Sequence, residues 1–161
     1  MAVLLYRVDE RLIHGQVVLG WGTGLHPDRI VVVDDDLAGS DWEQELYTLG
    51  LPDQVRASFE TVTDARDSLA AWASNGERIL LLTRDLATMR RLGEGGLLEG
   101  REVNVGGIHH APGRDKVLPY VFLGSGEREE IRALVREGAH VSARDLPGAR
   151  AVGADELLGE D

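Results

Sequence analysis

Residues 7–17 read Arg7-Val8-Asp9-Glu10-Arg11-Leu12-Ile13-His14-Gly15-Gln16-Val17, a run that places one histidine among two arginines, an aspartate and a glycine. Histidine can serve as a nucleophile near neutral pH while its second ring nitrogen stays protonated. Which nitrogen attacks depends on what the other one bonds; Asp9 is the nearest side chain that could orient the ring, and a backbone carbonyl could do so equally well. Arg7 or Arg11 could grip phosphate oxygens with a planar, two-pronged set of donors. Gly15 allows backbone to approach an anion with no Cβ in the way. His14 also stands just before an expected helix start, where unpaired N–H groups and a partial positive charge suit an anion. Gln16 borders the same anion site, although its first reading is that of a helix-face residue. The chemistry these residues suggest is phosphate binding and transfer through an imidazole.

Such a loop needs a scaffold, and the changing period of apolar residues supplies one. Ala2–Val8, Arg29–Val33, Gln54–Glu60, Arg78–Leu82, Glu102–Val105, Val117–Leu123 and Val141–Ala143 read as strands, with Pro119 moving the sixth to a sheet edge. Helices are expected at Gly15–Gly24 with Val17, Val18 and Trp21 on one face, and at 41–49 behind a Ser40/Glu43 capping box. A third follows a Thr63 cap, with Ala65, Leu69 and Trp72 inward, until Asn75-Gly76 ends it. A short helix spans Asp85–Leu92, and a last one Ser125–Gly138 with Ile131, Leu134 and Val135 apolar; the tail past Pro147 is weakly patterned. Strands alternating with helices, several too apolar to have a wet face, imply a single α/β domain over residues 1–161. Its central sheet is mostly parallel, with helices on both faces. Ligands of such folds bind outside the carboxyl ends of the strands, which directs attention to loops beginning at Asp9, Asp34, Thr83 and Gly106.

Composition removes whole classes of function. The chain of 161 residues carries 17 Lys plus Arg against 28 Asp plus Glu, a formal net charge of −11, so a sequence-independent nucleic-acid binder is not expected. With no cysteine there is no disulfide, thiol nucleophile or Cys-ligated metal. No apolar run is long enough for a signal peptide or a membrane span, making the cytoplasm the default compartment.

Other features have bland readings that outweigh the sharp ones. Asp34-Asp35-Asp36 reads as a solvated strand end rather than a metal or phosphoaspartate site. His109-His110 read as surface loop histidines, although one could line a phosphate pocket next to Gly106-Gly107. Trp21, Trp42 and Trp72 sit in helical patterns and read as packing residues. The glycines of 20–24 and 93–96 lack the spacing of nucleotide-binding loops and read as turns.

The eleven-residue loop resembles the phosphorylation site of the mannose/sorbose-family IIB component of the bacterial sugar phosphotransferase system, which typically reads R-[IV]-D-[DE]-R-L-[IV]-H-G-Q-V. Val103-Asn104-Val105-Gly106-Gly107-Ile108 resembles that family's V-N-[VI]-G-G-[MI] segment, and the intervening R-I-V-V-V-D-D-D and R-I-L-L-L-T strands fall in the expected order. The resemblance implies a phosphocarrier of the protein-N(pi)-phosphohistidine–sugar phosphotransferase class. A phosphohistidine of the IIA component would donate to His14, which would pass the group to a sugar carried by the membrane IIC and IID components. Asp9 and Arg11 match positions that orient and stabilise His14, and Arg7 matches the arginine ending the first strand. Gly106 and Gly107 would flank the phosphate, through their N–H groups or through close packing, if their strand neighbours the first. No cofactor or metal is implied, and a homodimer is possible. Arg7, Arg11 and Arg84 would give the IIA docking face local positive charge. Glu10 stands where Asp is commoner, and the second half is less familiar. A regulatory phosphoprotein or phosphate-binding module of an incomplete system, or a hydrolase using His14 as acid–base, are the competing classes.

Overall fold

A computed structural model describes residues 3–159; Ala2 of the expected first strand and Glu160 and Asp161 of the tail lie outside the described residues. Seven strands form the main sheet in the order β3-β2-β4-β1-β5-β8-β9. They are β1 (Val3–Val8), β2 (Arg29–Val33), β3 (Arg56–Glu60), β4 (Ile79–Thr83), β5 (Glu102–Val105), β8 (His140–Ala143) and β9 (Val152–Gly153). All neighbours pair in parallel except β8 and β9. The helices are α1 (Gly22–Leu25), α2 (Asp41–Thr48), α3 (Val62–Ser74), α4 (Leu86–Gly93), α5 (Ser125–Arg136) and α6 (Ala154–Leu158).

Two cores flank the sheet because successive strand residues point to opposite faces. Val31, Val33, Ile79, Leu81, Val103 and Val105 pack on one side with Trp72, Met89 and Ile131 of α3, α4 and α5. Ile30, Val32, Leu80 and Leu82 pack on the other with Leu12, Ile13, Val17 and Leu37. Every residue of β4 is buried, as a strand covered on both faces requires; each such aliphatic contributes roughly 1.5–3 kcal/mol on burial.

The strand ends are tied to one another where the loops begin. Asp9 donates its N–H to the Thr83 carbonyl (3.0 Å), Gly106 to Val8 (2.7 Å) and Arg144 to Val105 (3.1 Å). The loops after β1, β4, β5 and β8 therefore leave from one edge of the sheet, with β1 and β5 adjacent through Tyr6–Val103, Arg7–Asn104 and Val8–Val105.

Several expectations are corrected in detail. The strand expected at Val117–Leu123 is a separate antiparallel hairpin, β6 (Asp115–Leu118) and β7 (Val121–Leu123), with Pro119 in its turn; proline's missing N–H suits a turn better than a ladder. This hairpin is fastened to the segment after Gly107 by Ile108 N–H to the Tyr120 carbonyl and Phe122 N–H to the Ile108 carbonyl. The helix after His14 begins as a π turn, Gln16–Trp21, before α1. α3 is capped by Thr61, whose hydroxyl accepts from Asp64 N–H, two residues ahead of the expected Thr63. Ser40 stands at the N-cap of α2 without a side-chain cap bond. Val135 faces outward, whereas Ile131 and Leu134 are buried. The tail adds β9 and α6, whose two-residue strand is too short to show a period.

Asp34-Asp35-Asp36 is not simply solvated. Asp34 is buried, accepts from the N–H groups of Asp36 and Leu37, and pairs with Arg84 at 3.3 Å. Asp35 accepts from Val62 N–H and pairs with Arg91. Trp21 and Trp72 pack as expected, but Trp42 is 67% exposed.

Candidate functional site

Strand alternation puts the Arg7 side chain on one face of the sheet beside Asn104, its register partner on β5, where it is fully buried. Its guanidinium donates to the Asn104 side-chain carbonyl, to the backbone carbonyls of Arg144 (2.9 Å) and Asp145 (3.2 Å), and to Asp9 Oδ2 (3.1 Å). Trp21 covers it, with the guanidinium carbon 5.1 Å from the ring centroid and the indole N–H donating to Asp145 (3.0 Å). Such a cage satisfies a charge that would be expensive to bury alone. Arg7 therefore forms the floor of the site and presents no charge at the surface.

Asp9, also fully buried, is the hub. Oδ1 accepts from the Arg11 backbone N–H (3.0 Å) and Nε (3.1 Å), while Oδ2 accepts from Arg11 Nη2 and Arg7 Nη2, both at 3.1 Å. Burial works to raise its pKa, but the Arg11 hydrogen bonds, the Arg7 charge and the Gly107 backbone together hold the carboxyl below the usual aspartate range.

Arg11 lies above this hub with 34% of its side chain exposed, and its Nη2 also donates to Gln16 Oε1 (2.9 Å). Gln16 thus braces Arg11. His14 is at the rim, its side chain 18% exposed. Nδ1 lies 2.8 Å from the Leu12 carbonyl; a carbonyl only accepts, so Nδ1 carries a hydrogen, and in the neutral ring the lone pair is on Nε2. Nε2 has no hydrogen-bond partner and lies 3.8 Å from Asp9 Oδ2. Leu12 itself is buried in a left-handed conformation (φ 55°). That conformation is uncommon for a non-glycine residue and costs roughly 1–3 kcal/mol, and here it accompanies a carbonyl turned toward the catalytic candidate.

The glycine pair meets the loop as the β1–β5 pairing demands. A Cβ on Gly106 would lie 2.3 Å from Arg7 Nη2, and one on Gly107 would lie 3.1 Å from both Asp9 Oδ1 and Arg11 Nη2. Close packing calls for glycine at both positions; the Gly106 N–H is bonded to the Val8 carbonyl, and the Gly107 backbone also hydrogen-bonds the Asp9 carboxylate. At Gly15 a Cβ would meet nothing within 4 Å, which leaves open space beside His14.

Arg7, Asp9, Arg11, His14, Gln16, Gly106 and Gly107 are thus brought into one cluster. Arg84 is drawn off to Asp34. His109 and His110 point elsewhere: His109 lies near Glu10, whose carboxylate accepts its backbone N–H, and His110 lies edge-on to Phe122 with ring centroids 5.7 Å apart. Asn104 and the carbonyls of Leu12, Arg144 and Asp145 are structural partners that residue-by-residue reading passed over. Only Asn104 had a visible signal, its place before the glycine pair. Among the described residues no three His, Cys, Asp or Glu are grouped so as to hold a metal ion, and no helix is long and apolar enough to cross a membrane.

A mostly parallel α/β sheet with a histidine loop at the carboxyl end of its first strand defines a class of protein, and comparison identifies it. The family model described as PTS system sorbose subfamily IIB component matches residues 3–161, and the chain belongs to that family. The N-acetylgalactosamine-specific phosphotransferase enzyme IIB component 1 of Escherichia coli (strain K12) is 31% identical over 149 residues, covering 91% of this chain and 92% of that protein. The crystal structure of manxB from Thermoanaerobacter tengcongensis superposes with a TM-score of 0.84 at 28% identity, covering 98% of this chain and 95% of the other. The IIB domain of the sorbose permease from Klebsiella pneumoniae shares the fold, with a TM-score of 0.87 at 22% identity over 100% and 99% of the two chains.

Proposed function

We propose that this chain is a phosphocarrier in which His14 accepts a phosphoryl group from a phosphohistidine of a IIA component. It then yields that group to a sugar held by membrane IIC and IID components. In the first step the donor P–N bond breaks as a P–N bond forms on His14. In the second that bond breaks as the sugar hydroxyl oxygen bonds phosphorus, its proton passing to the medium. The observation that carries this reading is the His14 ring at the rim, tethered by the Leu12 carbonyl beside the Asp9–Arg11 pair. Phosphoryl transfer asks mainly for positioning and fixed positive charge, and partly exposed Arg11 is the guanidinium suited to supply it. Arg7, enclosed beneath, holds Asp9 in place instead of touching phosphate.

Charge placement favours Nδ1 as the acceptor nitrogen. A phosphoryl group on Nε2 would be driven against the Asp9 carboxylate 3.8 Å away. On Nδ1 it would leave Nε2 to carry a proton toward Asp9, which stabilises the cationic ring. Reaction then requires the ring to release the Leu12 carbonyl and its proton to move to Nε2.

The reading is tested by incubation with radiolabelled phosphoenolpyruvate, the general phosphotransferase proteins and the cognate IIA. Acid-labile label is expected on the wild type and absent from folded His14→Ala, and NMR of the labelled protein should place phosphorus on Nδ1. A folded wild-type protein that takes no label from its cognate IIA, or that steadily hydrolyses a small phosphoester with no protein donor, would overturn it.

A further inference from the structure

The most unusual surface of the molecule lies away from the phosphate cluster. α2 turns Trp42 and Leu46, four residues apart, to solvent with exposures of 67% and 58%, and Leu49, its C-cap, extends the same stripe at 81%. The helix has no buried residue of its own and is seated through half-buried Gln44 and Tyr47, the Gln44 amide donating to the Leu37 carbonyl at 2.7 Å. Leu19, 71% exposed, stands on the π turn that starts just after His14. A cavity of about 500 Å³ lies between that turn and the chain after α2, with Val18, Leu19, Leu51 and Val55 among its walls. A cluster of large exposed apolar groups of this kind marks an interaction surface.

Its charge points to the occupant. Residues 30–55 contain seven acids (Asp34, Asp35, Asp36, Asp41, Glu43, Glu45 and Asp53) and no Lys, Arg or His. Asp34 and Asp35 are paired with Arg84 and Arg91, but among the described residues the other five form no ion pair. An isologous dimer would set this acidic segment against its own copy. An anionic bilayer would repel it. The cytoplasmic loops of integral membrane proteins, in contrast, carry an excess of Lys and Arg.

We infer that the Leu19–α2 face docks on the basic, partly apolar cytoplasmic surface of the membrane sugar-carrying component, an assignment that rests on the phosphocarrier reading. The geometry agrees. α2 follows β2, whose carboxyl end lies at the same edge of the sheet as the His14 loop, and the π turn begins at that loop. The face thus runs from the starts of α2 and the π turn, at the His14 edge, down to the cavity at the amino ends of β2 and β3, where Pro27, Asp28 and Gln54 line it, so only its upper end brings a partner toward His14.

The test uses the full chain in two separate assays: labelling of His14 by IIA, and sugar phosphorylation by inside-out vesicles carrying IIC and IID. Trp42→Ser with Leu46→Ser, and Asp41→Lys with Glu45→Lys, alter exposed positions only. Each double variant should take label from IIA at the wild-type rate. The apolar pair should raise the apparent KM for the vesicles about 30-fold. The charge pair should raise it about 10-fold and flatten its dependence on salt. An unchanged vesicle KM in both, slowed labelling by IIA, loss of a wild-type dimer, or equal binding to vesicles of anionic lipid alone would each overturn the inference. A wild-type protein that takes no label fails the phosphocarrier reading instead, so the two failures are told apart.

Discussion

Arg7 and Arg11 are four residues apart and donate to the same carboxylate, yet they inhabit different environments. Arg7 is sealed beneath Trp21 and tied to Asn104 and two backbone carbonyls, whereas Arg11 lies above Asp9 with a third of its side chain in solvent. An enclosed guanidinium whose partners are all protein groups specifies where the loop sits. An accessible one can exchange a partner for a phosphoryl oxygen. The site is therefore built in two storeys, a fixed floor and an accessible rim, joined through Asp9.

Substitutions can break that division. Arg7→Met should be the most disruptive, because it leaves buried Asn104 and the Arg144 and Asp145 carbonyls without their donor and buried Asp9 with Arg11 as its one cation; a loss of about 3–5 kcal/mol is expected in chemical denaturation. Arg11→Gln should do the reverse. Transfer from IIA should slow by about 100-fold, as removal of a donor to developing charge commonly does, with a stability loss of about 1–3 kcal/mol, smaller than that of Arg7→Met, because buried Asp9 keeps Arg7. A melting point that falls as far as in Arg7→Met, with an unchanged transfer rate, would erase the distinction. Gly106→Ala should push the floor apart through the contact with Arg7 and destabilise by about 1–3 kcal/mol. Gly15→Ala, with open space at its Cβ, should leave the melting point nearly unchanged.

The smallest effect is the pH dependence of Asp9. Its folded pKa is held below the unfolded value, so the stability it contributes is fully present above about pH 3.9 and is lost as pH falls through the lower folded value. Asp9→Asn should flatten the acid side of a melting-temperature profile below about pH 4 and leave its slope near neutrality alone.

How much of this was legible beforehand differs between the storeys. His14, Arg11 and Asp9 could be grouped from sequence because they lie within one short loop, and local spacing is enough to suggest their contact. The α/β order of elements was also readable, since burial on both faces leaves long apolar runs such as Ile79–Leu82. The β6–β7 hairpin reads as one strand in sequence because Val117-Leu118 and Val121–Leu123 are apolar and only the turn at Pro119-Tyr120 divides them, while the charged Asp115-Lys116 start of β6 carries no strand signal. Trp42 reads as a packing residue in sequence because helical spacing does not tell which side of α2 meets the body. The role of Leu12 was invisible: nothing in a leucine announces a positive φ.

Residue types and their order along the chain determined the candidate nucleophile, its near neighbours and the alternating plan of strands and helices, because each follows from chemistry or periodicity over a few residues. Tertiary structure alone decided that Arg7 is enclosed, that Gly106 and Gly107 are small to make room for the Arg7–Asp9–Arg11 cluster, and that carbonyls from the far end of the chain complete the floor. Those contacts join residues about a hundred positions apart, and they exist only because β1, β5 and β8 lie in sequence across one sheet.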